Sequence, residues 1–141
     1  MPLIAGIVIG LVLLLCLALV IAVARDRGPG PGEVAVSYEL AWDRLDFDAL
    51  WALSGPELRD GLDRKHFIAA KRSAYDRQPA LRGLVEHVEV GEVALARSGD
   101  AAVVSTNVDL RDGKSVHNTV QLARRQSKWQ VVAYRLASAA S

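Results

Sequence analysis

Tyr38-Glu39-Leu40-Ala41-Trp42-Asp43-Arg44-Leu45-Asp46-Phe47-Asp48-Ala49-Leu50-Trp51 is the stretch on which the fold turns. With Val34 upstream, its apolar residues Tyr38, Ala41 or Trp42, and Leu45 recur every three to four positions. They form one stripe along a helix. This helical pattern extends from Glu33 to Gln78 in three pieces. Asp46 offers a side-chain acceptor to the free N–H groups of a second short helix, Phe47 to Leu53. Asp48 falls in its first turn, where the helix dipole favours negative charge. Ser54-Gly55-Pro56 interrupts the pattern, and Pro56 suits the first position of a short turn. Asp63 caps a third helix, Arg64 to Asp76, which offers Phe67, Ile68, Ala70, Ala74, Tyr75 and the stem of Lys71 for packing. Pro79 ends it.

After Gly83 the period becomes two. Leu84 to Ala96 reads as a strand, and Gly91 inside it marks a bulge or bend. Ser98-Gly99-Asp100 is a tight turn. Ala101 to Leu110 places Val104, Thr106, Val108 and Leu110 on one face and Val103, Ser105, Asn107 and Asp109 on the other. Asp112-Gly113 is a hairpin signal. In Val116 to Arg124, Val116, Asn118, Val120 and Leu122 oppose His117, Thr119, Gln121 and Ala123. Arg125-Gln126-Ser127 turns the chain into a last strand, Lys128 to Ala137. Helices followed by an antiparallel meander make an α+β domain with about three helices on one face of a four-stranded sheet. The tail, residues 138–141, is expected to fray.

The chain has 141 residues, 51% of them apolar, and that average covers two regimes. Between Leu3 and Ala24, 20 of 22 residues are apolar and the others are Gly6 and Gly10. The remainder is 44% apolar, ordinary for a water-soluble domain. As a helix, the apolar run reaches about 33 Å, enough for a hydrocarbon core about 30 Å thick. Residues 1–24 therefore read as a single-pass membrane anchor. Ala22-Val23-Ala24 has the form of a signal-peptide cleavage site, but no basic residue precedes the run, and the run exceeds the usual apolar region. Cys16, the single cysteine, reads as a small apolar residue in the bilayer and excludes an intramolecular disulfide. Arg25 and Arg27 follow the segment and no Lys or Arg precedes it. The positive-inside rule then places the C-terminal domain in the cytoplasm, with the exported face as the alternative. Residues 25–32, rich in alternating Gly and Pro, read as a short linker, and 33–137 as the domain.

The domain resembles the nuclear transport factor 2-like superfamily, which includes ketosteroid-isomerase-like and polyketide-cyclase-like proteins. Tyr38 to Trp42, Leu45 to Trp51, and Leu58-Arg59 resemble its first helix, its Asp-capped second helix and the turn that follows. Trp129-Gln130-Val131-Val132-Ala133-Tyr134 resembles its last strand. The resemblance implies a sheet curled into a cone around the helices, with any ligand inside the cone. It also implies pairing through the open sheet face, to which Val103, Ser105, Thr119 and Gln121 would contribute.

Family enzymes place an acid or base inside the cone, where burial raises a carboxyl pKa and strengthens hydrogen bonds. Polar groups available for such chemistry are Tyr38, Asp43, Asn107, Asp109, His117 and Tyr134. Tyr38 and Tyr134 read as core residues with a polar tip. Asn107 and Asp109 read as a solvated strand face. His66, His87 and His117 lie on separate elements without metal-ligand spacing. Gly28, Gly30 and Gly32 lack the Lys and Ser/Thr of a phosphate loop. The basic residues of the third helix are interspersed with Asp60, Asp63 and Asp76, and net charge is +1, so no nucleic-acid surface is expected. No catalytic, cofactor-binding or metal residue is assigned, and no cofactor. The reading is a membrane-anchored, non-catalytic interaction or assembly domain, partnered by the bilayer and by a second copy or another membrane protein. The alternative is a small-molecule binder or isomerase-like enzyme using the cone.

Overall fold

The apolar stripe of the quoted stretch lies across a sheet. The computed structural model describes residues 2–26 and 28–137. The helices are α1 (Pro2–Asp26), α2 (Pro31–Arg44), α3 (Phe47–Leu53) and α4 (Arg64–Tyr75). The strands are β1 (Val85–Leu95), β2 (Ala101–Leu110), β3 (Ser115–Arg125) and β4 (Lys128–Leu136). Single 3-10 turns occupy Pro56–Leu58 and Pro79–Leu81. The strands form one antiparallel meander in the order β1-β2-β3-β4. This is the α+β arrangement expected from the periodicities, and the curvature of the sheet fits a cone.

Three register shifts bend the sheet: two in β1, between Val85 and His87 and between Val90 and Val93, and one opposite Gln121 and Leu122 in the β3–β4 pair. The shift between Val90 and Val93 falls at the expected glycine. A Cβ on Gly91 would come 2.7 Å from Ser105 Oγ, and that hydroxyl accepts the Glu92 N–H at 2.7 Å. A missing side chain thus lets a serine satisfy the backbone group that the bulge takes out of the ladder.

The caps stand where the sequence put them. Asp46 accepts the Ala49 N–H at 3.1 Å, and Asp63 accepts the His66 N–H at 2.8 Å. The expected linker is shorter than 25–32. α1 continues through Asp26, and α2 begins at Pro31 rather than Glu33. Pro31 fits there because the first helical N–H needs no partner, and the Val34 N–H already bonds Gly30 O. The frayed tail expected at 138–141 lies outside the described residues.

Val34, Ala35, Tyr38 and Ala41 of α2, Phe47 and Leu50 of α3 and Phe67 of α4 close on Val104, Val120, Leu122 and Val131 of the sheet. α2 touches β1, β2 and β4, α3 bridges α2 and β4, and α4 packs on α3. α1 adds nothing to this core between Leu3 and Val20, where every residue is exposed. Leu3–Val20 has the length and composition of a membrane span or of a signal sequence.

Candidate functional site

The concave face of the sheet carries two polar side chains among its aliphatics. Thr106 of β2 and Asn118 of β3 are register partners, both buried. Groups buried this way need hydrogen bonds, and α2 supplies them through Glu39, which is only 5% exposed. Thr106 Oγ1 donates to Glu39 Oε1 at 2.8 Å and Asn118 Nδ2 to the same oxygen at 3.0 Å. Tyr134 of β4 donates its hydroxyl to Glu39 Oε2 at 2.6 Å and accepts the other Asn118 amide hydrogen at 3.0 Å. One carboxylate on α2 is thereby held by three consecutive strands.

Burial, and next the hydrogen bond to Glu39, push the Tyr134 hydroxyl well above the usual tyrosine range. Burial pushes Tyr38 in the same direction. The two rings meet edge to face at 5.2 Å.

Tyr134 also borders a cavity of about 260 Å3 among the helices. Tyr38, Trp42, Leu50 and Phe67 form its apolar wall, and Asp60 and Lys71 stand at its rim. Lys71 Nζ lies 5.8 Å from the Trp42 ring and 5.4 Å from the Phe67 ring, within reach of cation–π attraction. The buried Trp42 indole N–H makes no well-formed hydrogen bond among the described residues and has the Tyr38 hydroxyl as its near polar neighbour. Near the cavity, Arg59 stacks on Trp51 at 4.0 Å and donates to the Trp51 carbonyl.

The six polar groups named from the sequence separate into three places. Tyr38 and Tyr134 are in the cone. Asp43 closes the junction of α2 and β1, accepting the Leu84 and Val85 N–H groups at 2.7 and 3.0 Å. Asn107, Asp109 and His117 lie on the outer sheet face, where His117 bonds Asn107 and Ser115 donates to Asp109 at 2.6 Å. Glu39, read from the sequence only as part of a helix, is the residue that organises the interior. Its signal was present: Ala35, Glu39 and Trp42 follow helical spacing on the inward stripe, and the alternation had already turned Thr106 and Asn118 inward without a partner. Among the described residues, no three His, Cys, Asp or Glu side chains converge as a metal site.

No family model matches the sequence, and no curated protein matches it. Solved structures do match the fold. A Campylobacter jejuni protein described as a candidate NTF2-like transpeptidase superposes with a TM-score of 0.51 at 16% identity, over 73% of this chain and 97% of that one. The domain has an NTF2-like fold. A SEC-C motif containing protein of Rhodopseudomonas palustris superposes with a TM-score of 0.53 at 19% identity, covering 77% of this chain and 79% of that one. An NTF-2 like protein of unknown function from Silicibacter pomeroyi gives 0.47 at 20% identity, covering 74% and 90%. At these identities the likeness concerns the NTF2-like fold and carries no activity across.

Proposed function

We propose that the chain is a single-pass membrane protein whose NTF2-like domain is a non-catalytic interaction and assembly module. The observation that carries this reading is the state of Glu39. Both of its oxygens accept internal hydrogen bonds, from Thr106, Asn118 and Tyr134. A carboxylate fastened to three strands joins helix to sheet and is not free to move a proton for a substrate. Leu3–Val20 supports anchoring, and Arg25 and Arg27 favour a cytoplasmic domain. The anchor confines copies to two dimensions and raises their effective concentration. The open sheet face offers itself for pairing: Val103 is opposite Gln121 and Ser105 opposite Thr119, a contiguous patch turned away from the core.

Cysteine crosslinking in native membranes tests this reading. In a Cys16→Ser background, Gln121→Cys is expected to crosslink to a second copy or to a membrane partner. A chain that stays monomeric and uncrosslinked at every expression level overturns the assembly role. Accessibility labelling of the same cysteine in intact cells reports the membrane face.

A second reading has its own support. The cavity beside Tyr134 contains the Trp42 indole N–H, which makes no well-formed hydrogen bond among the described residues, and the Lys71 ammonium, 3.9 Å from Asp60; together they suit a small molecule presenting a carbonyl group. Ligand-induced quenching of tryptophan fluorescence, lost in Trp42→Phe and Lys71→Gln, would favour it.

A further inference from the structure

We infer that the end of the domain carrying the β1–β2 and β3–β4 turns docks on anionic lipid headgroups. This rests on the membrane-anchored reading above, and it concerns which end of the domain faces the bilayer and what holds it there. The chain itself selects the end. Gly28 and Pro29 line, together with Gln126, Ser127 and Trp129 of the β3–β4 hairpin, one groove of about 510 Å3. α1 ends at Asp26, two residues before Gly28. Two residues of extended chain span about 7 Å. The shared groove places the hairpin on the side of the domain from which the anchor departs.

The register brings basic residues from distant parts of the sequence to this end. Leu95 pairs with Ala102, Ala101 with Ala123 and Arg125 with Lys128, so the two turns are side by side. They expose Arg97, Arg124 and Lys128, none of which is in an ion pair among the described residues. The carboxylates at this end have partners: Asp100 receives the Ser98 hydroxyl, and Glu57 is held by Arg125. Arg25 and Arg27 add charge from the anchor side, against Asp26. About four to eight clustered Lys or Arg make an anionic-lipid site. In sequence, Arg25 and Arg27 supply two, and the folded sheet supplies the others. At the opposite end Arg44, Arg82, Arg111 and Lys114 are interspersed with Asp43, Asp109 and Asp112, so the position of the anchor, and not charge alone, chooses between the ends.

The test uses the full chain inserted in vesicles of phosphatidylcholine, with or without phosphatidylglycerol. Carbonate extraction reports the anchor, and amide hydrogen exchange over 96–100 and 124–128 reports docking. Each basic residue near an anionic surface strengthens attraction about fivefold. Exchange at both turns is expected to slow by about tenfold or more in the anionic vesicles, and to recover in high salt and in Arg97→Gln/Arg124→Gln/Lys128→Gln. Arg111→Gln/Lys114→Gln, at the far end, is expected to leave the protection in place. A chain that resists carbonate but exchanges equally in both vesicle types overturns the docking surface and leaves the anchor standing. Protection that ignores lipid charge and salt assigns the turns to a protein contact and also overturns it. A chain released by carbonate removes the anchor, and the docking surface with it.

Discussion

Glu39 receives a donor from each of β2, β3 and β4, so its loss is felt in three strands at once. Glu39→Ala leaves Thr106 Oγ1, Asn118 Nδ2 and the Tyr134 hydroxyl short of an acceptor in a buried site, and an unsatisfied buried group costs about 1–3 kcal/mol. The expected loss is about 3 kcal/mol or more. For a domain of this size that lowers the midpoint of thermal unfolding by roughly 12 °C or more, at about 4–8 °C per kcal/mol. Tyr134→Phe removes one donor of the three and is expected to cost less, about 1–2 kcal/mol. It also carries a signature in pH. The folded Tyr134 hydroxyl titrates above the unfolded value of about 10, chiefly through burial. Its contribution is complete below pH 10 and declines as pH rises beyond it, because the unfolded chain then releases a proton that the folded chain keeps. Urea unfolding followed from about pH 8 to pH 11 should show stability falling at the alkaline end, with a shallower fall in Tyr134→Phe. An unchanged slope in that variant would assign the effect to Tyr38, whose hydroxyl is displaced in the same direction.

Among the elements, β1 depends on what a neighbouring strand presents to it. Gly91→Ala would press a methyl group into Ser105 Oγ at 2.7 Å and displace the acceptor of the Glu92 N–H. The expected cost is about 1–3 kcal/mol, as for overpacking elsewhere. Ser105→Ala relieves the clash and leaves the N–H without a partner, so the double variant should lose less than the two single losses added together. A double-mutant cycle by denaturant unfolding measures that coupling. Asp46→Ala removes a cap from α3 and is expected to cost about 1 kcal/mol by the same assay. Much at this scale was readable from local chemistry. Asp46 and Asp63 announced helix starts, Gly91 the bulge, and Asp112-Gly113 a turn in which Gly113 takes a φ of 88°. Strand alternation placed Thr106 and Asn118 inside. The role of Glu39 was only partly readable: its place on the inward side of α2 is a local pattern, but its partners Thr106 and Asn118 lie 67 and 79 residues away in sequence. The placement of Arg97, Arg124 and Lys128 at one end of the domain escaped for the same reason: strand register creates it, and no local spacing encodes it.

At the scale of the whole molecule, two parts answer to different solvents, and their independence can be tested. Side chains from Leu3 to Val20 are all exposed, and none joins the cluster built by Tyr38, Leu50, Phe67 and Val120. Stability of the domain should therefore be indifferent to the chemistry of α1, while retention in a membrane should depend on it entirely. Leu11 and Leu14 lie near the middle of the apolar run, where an arginine costs about 2.5–3.5 kcal/mol for insertion. Leu11→Arg/Leu14→Arg thus adds about 5–7 kcal/mol against a spanning state. The substituted chain is expected in the soluble fraction after carbonate extraction, with the unfolding midpoint of its domain within about 4 °C of the parent's in detergent, since exposed substitutions away from the core change stability by no more than about 0.5 kcal/mol. A double variant that stays in the membrane fraction would show that something besides the apolar helix holds the chain there. A variant released from the membrane with a much lower midpoint would mean that α1 packs on the domain, and anchor and domain would then not be independent parts.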